Sequence, residues 1–369
     1  MDITRRNSAL DITRIVAAFS VIGVHFFLNS GYYNTPMLGG RMLLLTILRT
    51  GFMICVPLFI MLTGYLMSRK EWSLRYYRGI VKTLAVYLLA SIVCLVYKNV
   101  ILQEGITLLG GAAHILNYSA APYAWYIEMY IGLFLLIPFL NAMWRGLEEK
   151  RARGALVITL IFLSSLPSVF NIWNFQVEGW IKTPYLSTDY IKILPEWWVM
   201  IYPLTYYFLG AYLKEYPIKL KKRFNLPLIV LSVIAFGAFN YYRSWGGYFA
   251  WGAYTDWFGL PTLVVTVLVF VFLVYHDTSC FPVWSKKLLA WVSDACLGAY
   301  LVSYIFDDII YTRLIAAVPD MLDRGYYFVP VTLAVFALSV LTAVVLNLIY
   351  SGICAVAARV ARGLRGGKS

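Results

Sequence analysis

The sequence predicts an all-α fold, a polytopic transmembrane bundle of about ten helices with both termini cytoplasmic. Three observations carry that expectation. Only 13% of the residues are charged and 61% are hydrophobic, whereas a soluble domain is about a quarter charged. Apolar runs of membrane length recur from end to end. Lys and Arg gather on alternate connections between those runs, which is the positive-inside pattern. The alternating short segments of an outer-membrane barrel are absent from the sequence.

The first span, 10–29, follows the start MDITRR, and the chain continues NSGYYNTPM without a small-x-small cleavage site. It therefore reads as an uncleaved span with a cytoplasmic N-terminus, not a signal peptide. The second, 46–67, is long enough to tilt, and Gly51 and Pro57 favour a kink. Further apolar runs are placed at 77–98, 123–144, 155–171, 198–213, 225–241, 258–276, 288–310 and 327–357. The last again exceeds one bilayer thickness. Of the 31 Lys and Arg, 23 fall on connections this topology makes cytoplasmic, from Arg5 and Arg6 to Lys368. An odd number of spans would destroy that asymmetry. Two long outer connections, 99–122 and 172–197, are rich in Tyr, Trp, Asn and Pro. Such loops more often carry function than short ones. Aromatic rings there suit stacking on sugar faces, and they equally suit a membrane-interface belt. Residues 1–369 read as one transmembrane domain with no appended soluble domain and no internal repeat.

The net charge of +13 does not indicate nucleic acid, because the basic residues are topological clusters and not a recognition surface. Anionic membrane lipid is their simplest partner. Cys55, Cys94, Cys296 and Cys354 lie in apolar runs and Cys280 in a short loop, with no CxxC pair. His25, His114 and His276 are far apart, so no metal site is expected.

Four stretches carry candidate chemistry. In LDITRIVAAFSVIGVHFF, Arg14 and His25 are eleven residues apart, three helical turns plus about 20°. They share one face, separated by roughly 16 Å along the axis. Ionisable groups inside a span are costly and mark function by default. His25 suits a general base or proton relay. Arg75 and Arg78, with Lys82 four further on, fall on one helical face at the cytoplasmic end of the third span. Paired arginines match phosphate geometry, although a topological anchor has the same composition. Glu128 lies in the fourth span at a depth comparable with His25, flanked by Tyr123, Trp125 and Tyr126. It is expected to orient the imidazole, bind a polar acceptor or bond to a neighbouring helix. On the ninth span Ser293, Tyr300 and Ser303 are interior polar positions, closed by Asp307 and Asp308, and helix packing is their simplest role.

In order along the chain, these stretches resemble the acyltransferase-3 family of bacterial integral membrane O-acyltransferases. The resemblance rests on Asp11 with the Arg-x10-His of Arg14 and His25, and on the segment PLFIMLTGYL containing Pro57, Thr63, Gly64 and Tyr65. It extends to Arg75-x-x-Arg78, to Trp125, Gly132 and Pro138, and to SDACLGAYLVS, where Ser303 replaces the family's histidine. What the resemblance implies is O-acylation of an extracytoplasmic glycan or glycolipid with acetyl-CoA as co-substrate and no bound cofactor. It places the chain in the cytoplasmic membrane. By the same likeness His25 is catalytic, and Arg14, Arg75 and Arg78 face the donor; Glu128 beside the imidazole and Lys82 on the donor side are expected from their positions in the spans alone. Trp125, Tyr126, Tyr300 and Ser303 are the expected acceptor cavity. A proton-coupled transporter or flippase of a polar solute is the alternative, since it too would need buried Arg, His and Glu.

Overall fold

A computed structural model of the chain describes residues 6–180 and 190–366. Arg5, Lys368 and the stretch 181–189 of the second outer connection lie outside them. The described residues form fifteen α-helices and no strand: α1 Ser8–Asn29, α2 Gly39–Phe52, α3 Cys55–Met67, α4 Leu74–Tyr77, α5 Val81–Val100, α6 Leu108–Leu116, α7 Trp125–Gly146, α8 Lys150–Ser164, α9 Pro167–Phe170, α10 Tyr202–Glu215, α11 Lys222–Ser244, α12 Leu260–Val274, α13 Val283–Ala317, α14 Met321–Arg324 and α15 Phe328–Gly366. Among them are nine helical stretches long and apolar enough to cross a membrane. The chain is a polytopic helical bundle.

The expected sixth span, 198–213, is α10, and at 14 residues it falls short of a full membrane length. Its environment explains why it is helical regardless. Most of its side chains are buried, and it packs between α3 and α8. The α3–α10 crossing depends on two glycines. A methyl at Gly64 would fall on the Tyr207 carbonyl, and one at Gly210 on the Met61 carbonyl. Small residues are what let helix backbones approach this closely. Asn141 of α7 locks the same junction, donating to the carbonyls of Met67 at 2.8 Å and Lys70 at 2.7 Å and accepting from Tyr207 at 2.7 Å. The Met67 carbonyl also accepts from the Lys70 N–H at 2.9 Å, so Asn141 adds to the capping at the end of α3. Gly210→Ala is expected to destabilise by about 3 kcal/mol, because the overlap is with backbone that no rotamer change relieves. Thermal unfolding of the purified protein checks this; an unchanged midpoint would show that the crossing is looser than described.

The kink expected in the second span is a full break. It lies at Met53 and Ile54, between α2 and α3, and the span begins at Gly39, well before the expected residue 46. Pro57 lies in the first turn of α3, where its missing N–H costs nothing.

α1 is the central post. It packs against α2, α3, α12, α13 and α15, with Ala17, Phe26 and Phe27 fully buried. Contacts between helix ends respect the sidedness read from charge. At one end Arg6 meets Asp294, Arg145 meets Glu71 and Arg153 meets Glu215. At the other Arg41 meets Asp323 and Met37 pairs with Gly247.

Candidate active site

The first turn of α1 fixes the inner end of the site. Asn7 caps the helix by accepting from the Ala9 N–H at 3.0 Å. Asp11 accepts from Arg6 at 2.6 Å and lies 3.5 Å from Arg14. Arg6 also reaches Asp294 of α13 at 2.9 Å, and Arg14 donates to Ser293 at 2.6 Å. Two arginines thus clip α1 to α13, while the Arg14 side chain stays 29% exposed.

Three turns further along α1, His25 is only 8% exposed. Its Nδ1 lies 3.2 Å from Oδ2 of Asp307 on α13, without a hydrogen bond between them. The Tyr123 hydroxyl donates to the same oxygen at 2.9 Å. Its ring lies on the imidazole, centroids 3.7 Å apart. Asn29 holds that hydroxyl in turn, at 3.3 Å. A carboxylate beside Nδ1 favours the ring proton on that nitrogen once the two groups align in a hydrogen bond. Nε2 is then the free base.

One cavity of about 410 Å³ joins the two ends of α1. Arg14, Lys82, Ser293, Asp294 and Asn347 line its inner part, and His25, Cys55, Trp125, Tyr126, Trp257 and Tyr300 line it farther along. Val24, Phe59, Leu62 and Leu297 make much of the wall between them apolar. Trp125 stacks on Trp257 with centroids 4.5 Å apart. The Tyr300 hydroxyl donates to the Tyr123 carbonyl, which ties α13 to the segment carrying the ring beside His25.

Several expected residues stand elsewhere. Glu128 is exposed and does not line the cavity. Tyr126 and Tyr130 face the interior from α7, and Glu128 is two residues from each, roughly 200° away around the helix. Asp307 is the carboxylate beside His25. Ser303 is fully buried and donates back to the Tyr300 carbonyl of its own helix at 2.9 Å, so it is packing and not cavity wall. Arg75, Arg78 and Lys82 do not share one helix face: α4 ends at Tyr77, residues 78–80 form a 3₁₀ turn, and α5 starts at Val81. Lys82 lines the cavity. Arg75 and Arg78 are exposed outside it. Tyr76 anchors this turn, donating to the Phe134 carbonyl at 2.6 Å and stacking on its ring.

Asp307 and Trp257 were not singled out by the sequence as site residues. The helical stripe Tyr300, Ser303, Asp307, spaced three and four apart, was the available signal for the first. Nothing local marks Trp257. Among the described residues no group of three His, Cys, Asp or Glu could hold a metal. The family model for an acyltransferase domain, acyltransferase 3, matches residues 7–348, from the cap of α1 to the middle of α15. No curated protein and no solved structure matches the chain.

Proposed function

The chain belongs to the acyltransferase-3 family, and from that premise we propose that His25 is the general base of an O-acyl transfer across the membrane. The chain is an acyltransferase of multi-pass membrane type. In the proposed reaction the donor is cytoplasmic acetyl-CoA, and the acceptor is a hydroxyl of an extracytoplasmic glycan or glycolipid. The observation that supports this reading is the single cavity that has Arg14 and Lys82 at one end and His25 farther along.

The positive inner end suits the phosphates of CoA, for which Arg and Lys provide charge and donors. Arg75 and Arg78, exposed nearby in sequence, are free to extend that field. The apolar middle suits the thin pantetheine arm. His25 Nε2 takes the proton of the acceptor hydroxyl as its oxygen attacks the thioester carbonyl carbon. The tetrahedral intermediate then expels the CoA thiolate, which receives the proton from the imidazolium. Asp307 positions the ring and balances the charge that the ring gains. The stacked Trp125 and Trp257 offer flat apolar surfaces of the kind sugar faces pack on. Family membership favours this reading over solute transport, which the buried charges alone would also allow.

The reaction is tested by incubating the purified protein with acetyl-CoA and measuring thiol release with and without candidate glycans. Release that rises with an acceptor supports the reading; none with any hydroxyl acceptor counts against it. Arg14→Ala and Lys82→Ala are each expected to raise the KM for acetyl-CoA about tenfold, the typical loss of one charge-assisted contact. The Arg75→Ala/Arg78→Ala pair is expected to reduce thermal stabilisation by acetyl-CoA. A full melting shift in that double variant would leave the pair as a topological anchor alone.

A further inference from the structure

The first outer connection turns back on the helix it leaves. Asn99, near the end of α5, accepts from the Ile106 N–H at 2.7 Å and donates to the Ile106 carbonyl at 2.8 Å. From there α6 runs along α5 in the opposite direction. A methyl at Gly111 would meet Leu95 at 3.5 Å. The Tyr87 hydroxyl donates to the Ile115 carbonyl, and the rings of Tyr87 and Tyr118 lie 5.4 Å apart. Tyr87 lies roughly 20 Å along the helix axis from the end of α5 at Val100. The chain then returns, with the Ser119 carbonyl accepting from Lys98 at 3.3 Å, and reaches Tyr123 beside His25.

Among the described residues nothing covers the other side of α6. Leu108, Leu109 and Leu116 are 97%, 83% and 80% exposed. With Ala112 and Ala113, also exposed, they form one face about 140° wide that holds no polar side chain. His114, the one titratable residue of α6, bonds Ser119 at 2.6 Å on the opposite side. Such a face is strongly disfavoured in water. On α5, Ile92 and Val96 flank Leu95 and are exposed on a helix of membrane-spanning length, so the two apolar surfaces are continuous. The inner end of α6 is also built to stand without water. Its carbonyls at Ala113, His114 and Ile115 would otherwise look to solvent. They accept from the Asn117, Ser119 and Tyr118 N–H groups, and Ile115 accepts from Tyr87 besides.

We propose that this connection is re-entrant. α6 dips into the outer leaflet with Leu108 near the surface and Leu116 deeper, and the acyl chains of bilayer lipid cover its leucine face. Non-helical backbone at such depth is tolerated where protein buries it, and the turn after α6 is packed against Tyr87 and Lys98 in that way. Tyr123, seven residues beyond Leu116, is thus held from within the membrane. The inference stands apart from the acyl-transfer reading and does not depend on it.

The test places a nitroxide label on Leu108→Cys or Leu116→Cys, one at a time. The full chain carries Cys280→Ser and Cys354→Ser to remove its exposed thiols and is reconstituted in phosphatidylcholine vesicles. Collision with oxygen, which concentrates in lipid, is compared with collision with a water-soluble nickel chelate. Oxygen is expected to dominate at both sites, with an oxygen-to-nickel ratio severalfold higher in Leu116→Cys than in Leu108→Cys. Dominant nickel collisions put α6 in water and overturn the proposal. Few collisions with either reagent mean that protein covers the face, a second copy for instance, and overturn it too. Equal ratios at the two sites mean that α6 lies flat on the membrane and overturn the dip. The unaltered protein in the same vesicles gives a second measurement, decisive if a variant does not fold. An apolar carbene photolabel is expected to modify residues 108–116; labelling of α5 without labelling there overturns the proposal.

Discussion

His25→Ala is expected to lower acyl transfer by about a thousandfold or more, while the protein still inserts and binds acetyl-CoA. A positioned general base contributes about 10² to 10⁴ in rate, and within the cavity no second imidazole is present to replace it. The substitution also removes the group beside Asp307, leaving that buried carboxylate with the Tyr123 hydroxyl as its partner. Losing a partner in the interior costs about 1–3 kcal/mol, so some loss of stability accompanies the loss of activity. The two effects separate in the double variant His25→Ala/Asp307→Asn, where the carboxylate is gone. Its Tm is expected to recover toward wild type with no recovery of turnover. Transfer to glycan that persists in folded His25→Ala sinks the assignment of the base.

Asp307→Asn is the second large effect, a fall in kcat of about 10² to 10⁴ with the KM for acetyl-CoA within about twofold. The substitution preserves shape but converts the acceptor beside Nδ1 into a group that also donates. The ring then prefers its proton on Nε2, and the nitrogen facing the cavity is no longer basic. Asp307 is 1% exposed and is not part of the cavity wall, which is why binding of the donor is expected to survive. A structural role alone would lower Tm and leave the kcat of the folded fraction intact. Equal kcat per folded molecule in Asp307→Asn would therefore remove the aspartate from the mechanism. Tyr123→Phe, which removes only the hydroxyl on Oδ2, is expected to lower kcat about tenfold, the value of one lost hydrogen bond.

Glu128 and Asp307 show why one part of the site was legible in the sequence and the other was not. Both are carboxylates on long apolar helices, near the predicted outer ends of their spans. In a soluble protein the hydrophobic stripe would say which of them points inward. In a membrane bundle the lipid-facing side and the packed side are equally apolar, so hydrophobicity does not fix the rotation of a helix. The packing of α7 turned Glu128 outward, and the packing of α1 against α13 brought Asp307 to His25. Arg75 and Arg78 missed the cavity for a different reason, since a change from α4 through a 3₁₀ turn to α5 broke the common face that a continuous helix would have given.

By itself the sequence determined the helical membrane class, nearly all the spans, and the shared face of Arg14 and His25. Those features depend on hydropathy and on helical period, which are local and written residue by residue. Only the tertiary structure decided that both residues open into one cavity, that Asp307 and Tyr123 hold the imidazole, and that Trp257 stacks on Trp125. These groups lie far apart along the chain, on helices whose rotation and crossing are set by small-residue contacts such as Gly64 against the Tyr207 carbonyl and Gly210 against the Met61 carbonyl. Contacts of that kind carry no periodic signal, so they become visible only when the helices are packed.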